Sequence, residues 1–447
     1  MNIRINVNVE QLVPQVLEDG LILVLFREAE LVDNTVEEPI RVNSVAELKE
    51  QFKLPEVSEL PEEPTEDDLD EHMEDVNKQR KAFNELYSAE YLLRTGANIL
   101  CFKVSDTITE DEIEAIEDIE NLNYRLIVVP SENIEEPNDK LDLLLDFVKD
   151  SDVQLYLNLD LGVDAEAVKL YKEGKEAVPA VPAVPGGEGE EGTPAVPAVE
   201  GKAGKLSKNV ELFKNFGLPR FPSTFPMDID TNDFDLEKGF LGIPTAIAVA
   251  ARKSKLLNLK QSWIPVAGEQ NGLVNEFFKL AEKITRKEKE NLQAENVNVL
   301  ISKMGVGNIL VSQNTMLDLS VDNPKNPFYR SHVVTSALMI KRELNRIANS
   351  ASYRPNTSNT WESLRLKMKS FFANLVSKEA VEEFEILVGL GITMTEEDVE
   401  NGLLKVKVRY LPIRVIEAIE FNIVIQQQTG SIDIDFTGLS NLLEGVE

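Results

Sequence analysis

The chain has 447 residues and a mass of 50.0 kDa, room for roughly two to four domains. Asp plus Glu outnumber Lys plus Arg by 78 to 46, and the net charge of −32 sets the molecule as a whole against nucleic-acid phosphates and anionic membranes. A single cysteine, Cys101, excludes an internal disulfide framework and a Cys-based zinc cluster, and two histidines, His72 and His332, leave little for histidine chemistry.

Hydrophobic residues at 43% and charged residues at 28% make a globular composition. The N-terminal stretch lacks the apolar core of a secretory signal, and no apolar run reaches the ~20 residues of a membrane span. These features predict a soluble protein of a reducing cytoplasm. Charge is uneven along the chain: residues 301–378 hold 11 basic and four acidic side chains, a net of +7, inside an otherwise acidic molecule. Two differently charged faces are expected.

Residues 3–9 alternate apolar and polar with period two, the pattern of a half-buried strand. Residues 21–26 (LILVLF) read as a short buried strand, and Val45–Phe52 as a helix capped by Asn43 or Ser44. Eleven acidic side chains between residues 56 and 75 predict a solvated loop. A helix over Arg80–Arg94, a turn at Gly96 and a strand over Ile99–Val104 follow. Then come a strand at Leu126–Val129 ended by Pro130, a helix at Leu141–Phe147 and a strand at Val153–Leu161. This alternation points to an α/β layer on a parallel sheet. The Ala-Val-Pro repeats and Gly/Glu tract of residues 176–204 cannot pack and read as an exposed insertion. Regular structure is expected again at Ile247–Ala251, Asn275–Ala281 and Lys287–Glu295, then in helices Ser331–Asn349 and Trp361–Leu375. In the latter, Trp361, Leu364, Met368, Phe371 and Leu375 form one apolar stripe. Strands are expected at 384–392, 403–410, 418–427 and 431–436, giving two helices on a small antiparallel sheet.

None of the chemistry-bearing motifs holds together. Gly187, Gly189 and Gly192 match G-x-G-x-x-G, but they follow a proline repeat rather than a strand, and the intervening glutamates repel a pyrophosphate. Asp228, Asp230 and Asn232 open like a calcium loop, but Asp233 stands where glycine is needed and Gly239 where a bidentate glutamate is needed. Neither histidine has a catalytic setting: His332 reads as a helix-terminal surface or packing residue. Cys101 lies in an apolar strand, which predicts burial rather than reactivity. The residues therefore predict no enzyme, no metal and no cofactor.

The ends of the chain carry more. Each is an alternating strand on a short connector, and a lone strand must complete a sheet. Two outcomes stand open. Both strands pair at home with the C-terminal sheet, or each adds to the sheet of a neighbouring copy and links the copies into a mesh.

Several segments together resemble contractile phage tail sheath proteins, a family that includes the sheaths of R-type bacteriocins and type VI secretion systems. They are GNILVSQNTM (307–316), FYRSHVVTSALMIKRELNRIANS (328–350), YRPNTSNTW (353–361) and GLLKVKVRYLPIRVIEAIEFNIVIQQ (402–427). ELYSAEYLLRTGANILCFKV (85–104), GIPTAIAVAARKSKLLNLKQSWIPVAG (242–268) and ITRKEKENLQAENVNVLI (284–301) match the middle in the same order. The pattern departs where Val415 replaces a proline, and regions 20–80 and 176–204 have no counterpart. The resemblance implies an α/β plus α+β multidomain fold. Its parts would be an exchange arm (1–18), a small outer β-rich domain (19–84), an α/β domain of subtilisin-like topology without a protease triad (85–305), a C-terminal assembly domain (306–427) and a second arm (428–447).

It implies a structural subunit that polymerises as stacked hexameric rings around an inner tail tube and contracts without nucleotide, in a virion tail assembled in the host cytoplasm. Partners would be further copies, the tube protein, and baseplate and terminator proteins, with no nucleic acid and no membrane contact by the sheath itself. Ile3, Ile5, Val7, Val9, Ile432, Ile434 and Phe436 would be exchanged between subunits, and Val406, Val408, Ile419, Phe421, Ile423 and Ile425 would form the acceptor sheet. Lys341, Arg342, Arg346, Arg365, Lys367 and Lys369 would face the tube, or equally make salt bridges within the sheath. A bacteriocin or other injection-particle sheath is the nearest alternative. A degenerate α/β hydrolase-like enzyme and a surface-layer or pilus-like polymer are the alternatives of other classes.

Overall fold

The computed structural model describes residues 20–32, 39–58, 61, 65–119, 125–134, 139–175, 202–203, 206–227, 242–317, 326–415, 422–427 and 430–435. The chain divides into two compact units, Met1–Arg342 and Glu343–Glu447.

The main strands of the first unit, two short two-residue pairs aside, are β1 (Ile22–Phe26), β2 (Ile40–Val42), β3 (Ile99–Lys103), β4 (Leu126–Ile134), β5 (Gln154–Leu159), β6 (Val210–Lys214), β7 (Phe216–Pro219), β8 (Ile243–Pro244), β9 (Phe277–Leu280), β10 (Asn298–Lys303) and β11 (Gly307–Leu310). Its main helices are α1 (Val45–Gln51), α2 (Glu66–Arg94), α3 (Glu110–Ile119), α4 (Asp142–Asp150), α5 (Ala165–Glu173), α6 (Thr245–Asn258) and α7 (Arg286–Ala294). Helix α8 (Ser331–Asn349) starts in this unit and ends in the next.

One eight-stranded sheet runs β11-β10-β6-β5-β4-β1-β3-β2. Its six inner strands pair parallel and the two edges antiparallel. In chain order the parallel strands are arranged 2-1-3-4-5-6, a doubly wound order that reverses between β1 and β4. A parallel sheet covered on both faces needs strands that are apolar throughout, and the LILVLF run meets that demand. Ile22, Val24 and Phe26 enter one core with α2 and α6. Leu21, Leu23 and Leu25 enter the other, with Ile116 of α3, Leu144 of α4, Val168 of α5 and Leu292 of α7. Residues 20–53, read from the sequence as part of a separate outer domain, thus supply a central strand of the main sheet. Cys101 is fully buried on β3, as its apolar setting predicts.

Two sequence expectations need correction. The acidic run is helical from Glu66, because Thr65 and Asp68 form a reciprocal capping box and Glu66, Asp67 and Asp68 sit against the positive end of the helix. His72 therefore lies on α2, with Nδ1 2.7 Å from the Ser58 carbonyl. Pro130 does not end its strand: β4 runs to Ile134 with a register shift against β5 between Val128 and Asn133, an irregularity that accommodates a residue lacking N–H.

The second unit holds α9 (Ser358–Ser377), β12 (Val381–Val388), β13 (Val406–Pro412), β14 (Asn422–Gln427) and β15 (Gly430–Asp435). Here α9 buries Leu364, Met368, Phe372 and Leu375, with Phe372 stacked on Phe384 at 5.2 Å. Phe372, one position past the expected stripe, is fully buried against Phe384 and Tyr410, while Phe371 is half-buried against the Leu364–Met368 core.

Candidate assembly site

The expected assembly residues are best followed from strand register. β12 and β13 pair antiparallel, and period two sends Val406, Val408 and Tyr410 one way and Lys407, Arg409 and Leu411 the other. Val406 and Val408 join Ile347, Leu364 and Met368 in the small core beneath α9. The opposite face is mixed: Arg409 pairs with Glu385 at 3.0 Å, and Leu411 is 39% exposed opposite Glu383. Among the described residues this is a two-stranded sheet, so each strand keeps one edge whose backbone groups have no strand partner.

β14 and β15 form a separate antiparallel pair. Its register places Ile423 opposite Ile434 and Ile425 opposite Ile432. Two of the expected donor residues thus lie in register with two of the expected acceptors within one chain, in a pair separate from the β12–β13 sheet. Ile3, Ile5, Val7, Val9, Ile419, Phe421 and Phe436 lie outside the described residues.

Five of the six expected tube-facing cations have partners in the chain. Lys341 Nζ lies 2.6 Å from Asp152 Oδ1, and Arg342 donates to the Asp152 carbonyl at 2.6 Å. Arg346 pairs with Glu343, and Arg365 grips Glu362 at 2.7 and 2.8 Å. Lys367 donates to Ser350 Oγ at 2.9 Å, and Lys369 is exposed. Exposed pairs of this kind contribute ~0–1 kcal/mol each and exchange readily for others.

Sequence reasoning missed a buried polar cluster in the first unit. Glu211 of β6 is fully buried and accepts from Gln154 Nε2 at 3.2 Å, from Gln313 Nε2 at 3.2 Å and from the Ser331 hydroxyl. Burial pushes its carboxyl up to about 7, against the pull of Ser331 and of the Lys253 ammonium. Lys253 of α6, also fully buried, donates to the Ser262 carbonyl at 3.2 Å, and burial pulls it down to about 8. His332 is 4% exposed, not a surface residue; burial, Lys253 and Arg330 hold it down at about 4. The cluster ties the start of α8 to β5, β6 and the 313 loop. No local signal marks it, since Glu211 sits in an ordinary apolar strand.

An open groove of about 420 Å³ lies between α3 and α4, lined by Ile113, Leu143 and Phe147 with Glu110, Glu114 and Glu117 around it. Among the described residues no cluster of His, Cys, Asp and Glu could hold a metal, and no helix is long and apolar enough to cross a membrane.

No family model and no curated protein matches the chain. Solved structures do. A chain of the anti-feeding prophage (AFP) baseplate aligns over 92% of this chain and 94% of its own length, at 13% identity and TM-score 0.61. The PVC sheath complex of an extracellular contractile injection system, in the contracted state, aligns over 96% and 98% at 15% identity and TM-score 0.58. The sheath tail protein of Desulfitobacterium hafniense aligns over 97% and 100% at 11% identity and TM-score 0.51. The chain has the contractile-sheath fold. At such identities the likeness is one of fold, and it spans both units, including the α/β unit that alone would suit many functions.

Proposed function

We propose that this chain is a structural subunit of a contractile sheath. The observation that carries the reading is the end-to-end likeness to the AFP helical sheath in its contracted state, which covers 91% of this chain and 92% of that one at TM-score 0.57. Copies stack as hexameric rings around an inner tube, and contraction draws on a metastable extended lattice rather than on a nucleotide. Residues 3–9 and 432–436 act as exchange arms, leaving home pairing such as Ile423–Ile434 for the same pairing between copies, which costs little because the hydrogen bonds are equivalent. The cations of α8 and α9 exchange their exposed intrachain pairs for acidic groups on the tube. The AFP and PVC neighbours favour an injection particle over a phage tail as the setting.

Negative-stain electron microscopy of the purified protein at neutral pH tests the reading. Hollow striated cylinders of uniform width are expected, and deletion of residues 1–10 should leave a folded chain that no longer polymerises. A full-length protein that stays monomeric even with its tube and baseplate present would overturn it.

A further inference from the structure

In open α/β sheets, ligands bind beyond the carboxyl ends of the strands, at the point where strand order reverses. Here the order reverses between β1 and β4, and the chain leaves the end of β1 at Phe26 with three consecutive peptide N–H groups converging on one anion. That anion is the side chain of Glu85, from the fully buried stretch of α2. Arg27 N–H donates to its Oε1 at 2.7 Å, and Glu28 and Ala29 N–H donate to its Oε2 at 3.0 and 2.8 Å. On the adjoining strand Lys103 donates to the Arg27 carbonyl and holds the loop from the other side. Burial lowers the Lys103 pKa, while the nearby Glu85 and Glu28 carboxylates raise it, so a cation stands close to the bound anion.

Converging backbone N–H groups at the end of a strand are the device by which proteins hold phosphate and carboxylate ligands. We propose that the loop 27–29 is an oxyanion-binding nest whose ligand is the chain's own Glu85, standing where a doubly wound sheet elsewhere holds a free one. The nest takes carboxylates by preference, because both oxygens of a planar carboxylate are used. Occupation from within closes the crevice to small molecules and fastens α2 to the central strand. This holds whether or not the chain polymerises.

Glu85→Ala removes a fragment equivalent to acetate and leaves the N–H groups in place. The variant should melt below wild type, and acetate should raise its melting temperature saturably, with a half-effect on the order of millimolar concentration. Formate should act similarly, chloride at equal ionic strength should not, and wild type should show no acetate-specific shift. Glu85→Gln, whose amide still fills the nest, should be destabilised but not rescued. If Glu85→Ala does not fold unaided, refolding yield in acetate against chloride gives the same reading. The proposal is overturned if acetate shifts wild type or Glu85→Gln as much as Glu85→Ala, or if Glu85→Ala responds to no carboxylate in either assay.

Discussion

Replacing Glu211 by leucine removes the acceptor shared by Gln154, Gln313 and Ser331 and strands the Lys253 ammonium, which is fully buried and keeps only the Ser262 carbonyl. Breaking a buried interaction from one side costs about 3–5 kcal/mol, because three donors lose their acceptor and Lys253 must either stay charged without its counter-charge or give up its proton. Lys253→Met should cost less, about 1–3 kcal/mol, since Glu211 already titrates near 7 and escapes its loss by taking a proton. The double variant Glu211→Gln/Lys253→Met keeps an acceptor oxygen for Ser331 and carries no buried charge. It should lie within about 1 kcal/mol of wild type, or above it. Trp263 falls in the first unit and Trp361 in the second, so a Trp361→Phe background makes tryptophan fluorescence report the unit that holds the cluster. Urea unfolding of wild type, Glu211→Gln, Lys253→Met and the double variant gives the cycle, with Glu211→Leu as the variant that also removes the acceptor.

The pair also sets a pH signature. A carboxyl raised from 4.5 to about 7 contributes stability below 4.5 that is lost as pH rises through 7. A lysine lowered from 10.5 to about 8 contributes stability above 10.5 that is lost as pH falls through 8. Together they place a minimum around neutral pH that the double variant should lack. Single losses that simply add in the double variant would refute the coupling.

His332, buried as the neutral ring and lowered from 6.5 to about 4, contributes stability above pH 6.5 that is lost as pH falls through 4. His332→Asn should flatten that limb in melts between pH 4 and 7, and an unchanged limb would place the acid sensitivity elsewhere. Phe372→Ala should cost the second unit about 3–5 kcal/mol, because the ring is fully buried and stacks on Phe384. Trp361 fluorescence follows this loss, and one under ~1 kcal/mol would show that the small core collapses around the gap.

Acid in this chain is abundant, and its roles could not be separated by inspection. Residues 56–75 look like a loop by charge alone, yet the capping box at Thr65 starts a helix whose first turns carry the charge in solvent. The same helix then buries Glu85 and Glu90, each holding a loop: Glu85 takes residues 27–29, and Glu90 takes Thr224 N–H at 3.0 Å. Helix α8 begins and ends where periodicity sets it, and β3 and β5 lie within a residue or two of expectation. β6 and β7 were not anticipated, because the low-complexity tract before them obscured where the α/β pattern resumes.

What the sequence by itself determined was local and periodic. It set the alternation of strand and helix, the wholly apolar strands that demand a parallel sheet covered on both faces, the burial of Cys101, and an apolar face on α9. Those follow from the two repeat lengths of the backbone and from the transfer of apolar surface out of water. The tertiary structure alone decided which acids are buried, which N–H groups Glu85 satisfies, and that Glu211 and Lys253 share one interior. Residues 56 to 58 positions apart meet at the Glu85 nest and 120 apart at the bond between Ser331 and Glu211. A glutamate's burial is a property of what packs around it, and at those separations nothing in its own neighbourhood of the chain records it.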